Sequence, residues 1–351
     1  MKNPTIVVNA RFLTQKISGV QRFAIELSLR LKKLMPEIIF VAPHNIYHHN
    51  LANQLGVITV GITKGHLWEQ IDLPLFLVKH GNPFLINLAN TAPVFYKNKA
   101  ATVHDLAIYD VPESYSFTFR LTYKILLPSI IKNSQKIFTV SSFSQSRIKD
   151  RFGVNPAIIQ NSVSSFFSAG ASVDKEKIIL AVSSLDPKKN FSSLIEAFIK
   201  ANLDEYKLVI VGARNKLFDQ VTLTSDNNIY KDKIVFTGHI SDHDLASLYQ
   251  RASLFIYPSF YEGFGIPPLE AMASGCPTIV SDIPSLREVC GDASVYVNPY
   301  DTADIANKLK EVCYNSELQA YLHKKGLENI RRFSWEDSSI KLMHYISEAM
   351  Q

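Results

Sequence analysis

Two glutamates, Glu262 and Glu270, bracket a glycine-rich turn and a short helix in Tyr-Pro-Ser-Phe-Tyr-Glu-Gly-Phe-Gly-Ile-Pro-Pro-Leu-Glu-Ala-Met-Ala-Ser-Gly-Cys-Pro, residues 257–277. Pro267 and Pro268 suit a first helical turn, where a missing N–H has no partner to lose. The unpaired N–H groups of such a turn, with the helix dipole, attract an anion such as phosphate. Gly263 and Gly265 let a ligand approach the backbone closely. The positive helix end also favours ionised carboxylates. These only accept hydrogen bonds, so Glu262 and Glu270 suit hydroxyl donors. A phosphate cradle beside two hydroxyl acceptors describes a nucleotide-sugar, with its pyrophosphate, ribose and hexose. A core helix with an acidic N-terminus, ordinary in any α/β protein, fits the same residues.

Other positions could add to this chemistry. Lys188 and Lys189 lie in Asp186-Pro187-Lys188-Lys189-Asn190, after the apolar strand Lys177–Ser183. A lysine there can act as a compact charge on a pyrophosphate, or be one of two exposed surface lysines. His104, followed by Asp105, ends the strand Ala100–His104, at the sheet edge where open α/β folds bind ligands. Histidine exchanges a proton near neutral pH; a ring tied to a nearby carbonyl for structural reasons is the plainer reading. Ser18 and Gly19 precede the helical pattern Gln21–Leu34 and offer a second phosphate turn, or a simple tight turn.

The elements that must position these residues alternate. In the first half, strands are expected at Thr5–Ala10, Ile38–Ala42, Phe84–Leu88, Ala100–His104, Lys136–Val140 and Ala157–Gln160, with helices at Phe117–Asn133 and Ser144–Phe152. In the second, strands at Lys177–Ser183, Lys207–Val211, Ile234–Thr237, Ser253–Tyr257 and Thr278–Ser281 alternate with helices at Phe191–Ala201 and Asp242–Arg251. Most of these strands are continuous apolar runs, the pattern of a parallel sheet buried on both faces. Each half therefore reads as an open α/β domain, with the join near Ala169–Asp174.

At 351 residues, 46% hydrophobic and 20% charged, the chain can build two globular cores. No apolar run approaches the roughly 20 residues needed to span a bilayer, and the N-terminal apolar stretch is too short for a signal peptide. Cys276, Cys290 and Cys313 are too few and scattered for a zinc site or a disulfide framework, which fits reduced thiols in the cytoplasm. Residues 1–170 carry 18 Lys and Arg against 8 Asp and Glu; residues 171–351 carry 19 against 24. The basic first half points to an acidic partner: nucleic acid, anionic lipid or a phosphorylated substrate. Phe117–Lys136 mixes apolar residues with Arg120, Lys124, Lys132 and Lys136. It could lie on an anionic membrane, line an acceptor groove, or be a half-buried helix with a solvated basic face. Pro128 is expected to kink or split it.

Taken together, Glu262-Gly-Phe-Gly-Ile-Pro-Pro-Leu-Glu270 through Pro277 resembles the signature of retaining glycosyltransferases of family 4, the glycosyl transferases group 1. Leu185-Asp186-Pro187-Lys188-Lys189-Asn190, Phe236-Thr237-Gly238, Pro258-Ser259, Ser281-Asp282-Ile283-Pro284, Val140-Ser141 and Val103-His104-Asp105 are similar to further family motifs. The resemblance is dense over about residues 178–310. It implies an α/β GT-B fold: two facing Rossmann-like domains with parallel sheets and a central cleft. The acceptor domain would span 1–172 and the donor domain 173–351, with a last helix at about 335–351 packing back on the first domain.

Carried over by position, the resemblance gives Glu270 the ribose hydroxyls and Glu262 the donor sugar's hydroxyls. Gly263, Phe264 and Gly265 would contact the sugar or its phosphate through the backbone. Lys189 would neutralise the leaving diphosphate. Lys188 would stand in for the usual phosphate-binding arginine, since this chain has Ser183-Ser184-Leu185 where the family often reads Gly-Arg-Leu. Gly19 would approach the diphosphate, His104 the donor sugar and the acceptor hydroxyl, and Gly238 and His239 the nucleobase. No metal and no cofactor are implied, the nucleotide-sugar being a substrate.

The Asp-Pro-Lys-Lys-Asn form resembles the branch that builds bacterial surface polysaccharides, where donors include GDP-mannose. The expected activity is therefore hexosyl transfer, a mannosyltransferase, onto a lipid-linked oligosaccharide in O-antigen or lipopolysaccharide synthesis. The expected place is cytoplasmic, peripheral on an anionic membrane face through the basic first half, with no nucleic-acid partner. A nucleotide-sugar-binding subunit without turnover and a glycoside hydrolase using Glu262 and Glu270 are the competing readings.

Overall fold

The computed structural model describes residues 5–170, 174–184, 186–212 and 232–351. Residues 171–173 of the expected join and Leu185 of the lysine loop lie outside them. The chain forms two compact units, residues 1–161 with 334–351, and residues 162–333.

Among the described residues, unit 1 holds seven parallel strands: β1 (Ile6–Asn9), β2 (Ile39–Ala42), β3 (Ile58–Thr59), β4 (Phe84–Asn87), β5 (Lys99–Thr102), β6 (Lys136–Thr139) and β7 (Ala157–Ile158). Their order is β3-β2-β1-β4-β5-β6-β7. Val7, Val41 and Leu85 pack against Trp68, Leu73 and Leu77. Ala101, Val103 and Ile137 pack against Leu127, Ile130, Ile131 and Ile148. The helix Trp335–Ala349 belongs to this unit. Its Trp335 lies edge-on to Phe23 of the helix Gly19–Leu34, and Ser338 Oγ donates to Gln160 O at 2.8 Å.

Among the described residues, unit 2 holds six parallel strands: β8 (Glu176–Val182), β9 (Lys207–Val211), β10 (Ile234–Gly238), β11 (Ala252–Tyr257), β12 (Thr278–Ser281) and β13 (Val295–Val297). Their order is β10-β9-β8-β11-β12-β13. Every residue of β11 is buried, as its unbroken Ala-Ser-Leu-Phe-Ile-Tyr run requires at the centre of a covered sheet. Ile179, Ile210, Leu254 and Ile256 meet Leu194, Phe198, Ile305 and Leu309 from the covering helices.

In both units the chain runs outward in one direction and then returns to run outward in the other. The reversal falls between β1 and β4 in unit 1 and between β8 and β11 in unit 2. Loops leaving the carboxyl ends of two such strands diverge and leave a crevice, the place where open α/β sheets bind ligands.

Pro128 does not split its helix, which runs unbroken from Phe117 to Lys132. Proline removes one helical hydrogen bond, the one to the carbonyl of Lys124. Lys124 is exposed, so water can serve that carbonyl, while the buried Leu127, Ile130 and Ile131 hold the later turns in place. Among the described residues no helix is long and apolar enough to cross a membrane.

Candidate active site

The strand reversal of unit 2 brings together the loop after β8 and the loop after β11. Asp186 starts the first loop: its carboxylate accepts from Lys188 N, and Pro187–Lys189 form a 3-10 turn. Asn190 ends that turn in the left-handed region, at φ 58°. Its amide donates to Pro258 O at 3.1 Å and to Pro299 O at 2.7 Å. Phe260 N donates to Lys188 O at 2.8 Å. These bonds tie the two loops together and fix where Lys189 emerges.

Lys189 Nζ donates to Glu262 Oε1 at 2.6 Å and to Tyr257 Oη at 2.8 Å. The Lys189 and Glu262 side chains are each 11% exposed. Burial pushes the Glu262 carboxyl up, but the Lys189 ammonium and its hydrogen bond outweigh this and leave it below the ordinary carboxylate value. The Glu262 carboxylate is therefore ionised at neutral pH. Burial and the Glu262 charge push the Tyr257 hydroxyl far up, so it stays protonated. Lys188 lies beside this pair, with Nζ 4.0 Å from Asp186 Oδ2.

The second loop passes through Gly263 and the buried Phe264, whose ring lies edge-on to Phe333 at 5.6 Å. Gly265 then turns into the helix Ile266–Ala273 at φ 103°, where a β-carbon would collide with Leu286 Cδ2 at 2.5 Å. Only glycine meets both constraints. Glu270 sits buried in this helix, and Tyr249 Oη donates to its Oε2 at 3.2 Å. Gly238 closes β10 at φ 72°, with His239 exposed after it, on the same carboxyl edge of the sheet.

Lys188, Lys189, Gly238, His239, Glu262, Gly263, Phe264, Gly265 and Glu270 thus all belong to unit 2, and direct hydrogen bonding joins Lys189 to Glu262. Gly19 and His104 belong to unit 1. Gly19 is the exposed first residue of the helix Gly19–Leu34. His104 is buried after β5, with its ring edge-on to Phe23 at 4.8 Å. Its Nε2 lies 3.0 Å from Leu88 O. A carbonyl only accepts, so Nε2 carries the proton and Nδ1 is the basic nitrogen. Burial pushes the ring's pKa down despite that bond and the nearby Asp105 charge, so His104 is neutral at pH 7.

Sequence reasoning missed Tyr257, Tyr249 and Asn190, which hold Lys189, Glu270 and the loop pair. Tyr257 reads in sequence as the last apolar residue of a buried strand. Its hydroxyl becomes meaningful only when β8 is known to lie beside β11.

Residues 164–329 match the family described as glycosyl transferases group 1. The chain is 34% identical over 241 residues, 67% of each chain, to the O-antigen chain mannosyltransferase RfbU of Salmonella typhimurium. It is 29% identical over 275 residues, 72% of each chain, to the O-antigen chain mannosyltransferase B of Escherichia coli. Its fold is similar to that of a sucrose-phosphate synthase from Thermosynechococcus elongatus, with a TM-score of 0.78, 17% identity and 98% of each chain covered. Two Rossmann-like units with all-parallel sheets constitute the GT-B fold, and the chain belongs to the glycosyl transferases group 1 family of glycosyltransferases.

Proposed function

We propose that this enzyme moves a mannosyl residue from GDP-mannose to a hydroxyl of a lipid-linked oligosaccharide, in the assembly of an O-antigen-type polysaccharide. The two relatives, both O-antigen chain mannosyltransferases, support the sugar and the class of product. The observation that carries the site is the buried Lys189–Glu262 pair at the strand reversal of unit 2.

In this reading an incoming diphosphate competes with Glu262 for the Lys189 ammonium. Glu262 then turns its acceptor oxygens to hydroxyls of the hexose, while Glu270, held by Tyr249, takes the ribose hydroxyls. Lys188 and the backbone N–H groups of Gly263, Phe264 and Gly265 add positive potential to the phosphates. Gly238 and His239 border the base. As the bond from the anomeric carbon to the phosphate breaks, charge grows on the leaving group. Lys189 and the helix start stabilise that charge where it develops. They supply what a divalent ion would otherwise supply, so the transfer proceeds without one. His104 of unit 1, neutral, offers Nδ1 as a hydroxyl acceptor. The acceptor oxygen attacks from the face the diphosphate leaves, its proton passes to the departing phosphate oxygen, and the anomeric configuration is retained. The basic first domain brings the enzyme to the anionic cytoplasmic face of the membrane.

The test is transfer of labelled mannose from GDP-mannose to a bacterial lipid extract, with and without EDTA, followed by NMR of the new anomeric proton. Transfer that persists in EDTA with an α-linked product is expected. Transfer from another nucleotide-sugar only, EDTA-sensitive transfer, or a β-linked product contradicts the corresponding part of the reading.

A further inference from the structure

The Lys189 ammonium has three N–H donors. One goes to Glu262 Oε1 at 2.6 Å and one to Tyr257 Oη at 2.8 Å. Among the described residues the third has no acceptor. The side chain keeps 11% of its surface open to solvent, so one side of the ammonium is left for a ligand.

The two acceptors differ in charge and in how they are held. Glu262 is an ionised carboxylate in the irregular loop after β11, with Gly263 next to it. Tyr257 is the last residue of β11, opposite Val280 of β12, and is 2% exposed. Its ring stacks on Phe255 at 6.0 Å, so strand pairing and packing both fix its place. The phenol is neutral, and a hydroxyl that accepts from an ammonium still has its own hydrogen bond to donate. The Glu262 carboxylate accepts that bond. Lys189, Tyr257 and Glu262 thus close a ring of three hydrogen bonds. Ser183, just past the end of β8, is a second hydroxyl partner of Tyr257, so the phenol keeps a partner when Glu262 leaves the ring.

We propose that Tyr257 is a positioning residue: its hydroxyl keeps Lys189 aimed at the diphosphate after Glu262 has turned to the donor sugar, a role that rests on the proposed exchange at this pair. An ammonium released from its carboxylate is a point charge on a flexible four-carbon stem. The bond to Tyr257 ties one N–H to a strand end and leaves the other two for phosphate oxygens. A second carboxylate in that place would hold the ammonium equally well but cancel its charge. A neutral hydroxyl holds it and leaves the charge to act on the leaving group.

The test compares GDP with GMP, which lacks the β-phosphate, by calorimetry on the full chain. Tyr257→Phe removes the hydroxyl and keeps the ring on Phe255; Lys189→Met removes the ammonium. Melting curves set a temperature at which each variant is folded. The parent should prefer GDP to GMP. Tyr257→Phe should cut that preference about tenfold, as for a hydrogen bond to a charged group, and keep the affinity for GMP. Lys189→Met should cut it at least as far, and adding Tyr257→Phe should then change it no further, because the hydroxyl acts only through the ammonium. A parent-like preference in Tyr257→Phe, beside a lost one in Lys189→Met, overturns the role of Tyr257 and leaves the donor site standing. Equal weakening of GDP and GMP in Tyr257→Phe marks a merely structural residue and overturns it too. No preference in the parent, or an unchanged one in Lys189→Met, overturns the donor reading of the pair and the role of Tyr257 with it.

Discussion

Lys189 and Glu262 pair at 2.6 Å across the strand reversal of unit 2, one from the loop after β8 and one from the loop after β11. Each is the residue that keeps the other's buried charge tolerable. Removing one partner from such a pair costs about 3–5 kcal/mol, because the other is left charged and unserved. Lys189→Met and Glu262→Gln should each lower stability on that order in denaturant melts. The double variant should recover much of the loss and still show no transfer. A double variant less stable than both singles contradicts the pairing.

The same pair sets an acid limit. The folded-state pKa of Glu262 lies below its ordinary value of 4.5. Its contribution to stability is therefore fully present above about pH 4.5 and is lost as pH falls through the lower, folded value. The difference in melting temperature between the parent and Glu262→Gln should be constant from pH 7 to 5 and shrink below that. A difference that grows on acidification contradicts the sign.

Tyr249 holds Glu270 by one hydrogen bond of 3.2 Å. Tyr249→Phe removes that bond and keeps the ring that packs on Phe167 and Phe255. Loss of one such bond is worth on the order of 1 kcal/mol. Nucleotide affinity by calorimetry should fall about fivefold, with the fold intact. Unchanged affinity removes Glu270 from the nucleotide contacts or Tyr249 from its support.

Phe117, Leu121 and Ile125 recur every fourth residue on one helix face and are 73%, 50% and 62% exposed. Arg120 and Lys124 lie beside them. Serine at all three positions should reduce co-sedimentation with phosphatidylglycerol vesicles, and so should salt above about 0.5 M, where charge attraction is screened. Equal binding to neutral phosphatidylcholine vesicles contradicts a role for the basic residues.

Most of the fold could be read from the sequence because parallel strands are short apolar runs buried on both faces. β1, β2, β4, β6, β9 and β12 lie where those runs predict. The short β3 and β13 and the helical segment 65–79 carried no such signal. Leu67, Leu75 and Val78 of that segment are exposed, so its apolar residues do not trace a single stripe. The nine residues singled out in the second half do lie in one unit and along one sheet edge, because glycine, proline and charge mark loops plainly. What supports them was not legible. Tyr257 looks like core, and its bond to Lys189 joins positions 68 residues apart. Such partners emerge only from strand order. His104 was singled out for its place at a strand end, and its bond to Leu88 O shows which nitrogen carries the proton.

The measurement closest to the central claim is donor binding by Glu270→Ala. Calorimetry with GDP and GDP-mannose on the parent and this variant, both with intact melting curves, isolates the carboxyl edge between β8 and β11 as the nucleotide site. The parent should bind GDP and GDP-mannose, and the variant should lose at least about tenfold in affinity for each, as for two hydroxyl bonds to a buried carboxylate. Parent-like affinity in Glu270→Ala contradicts the placement of the donor.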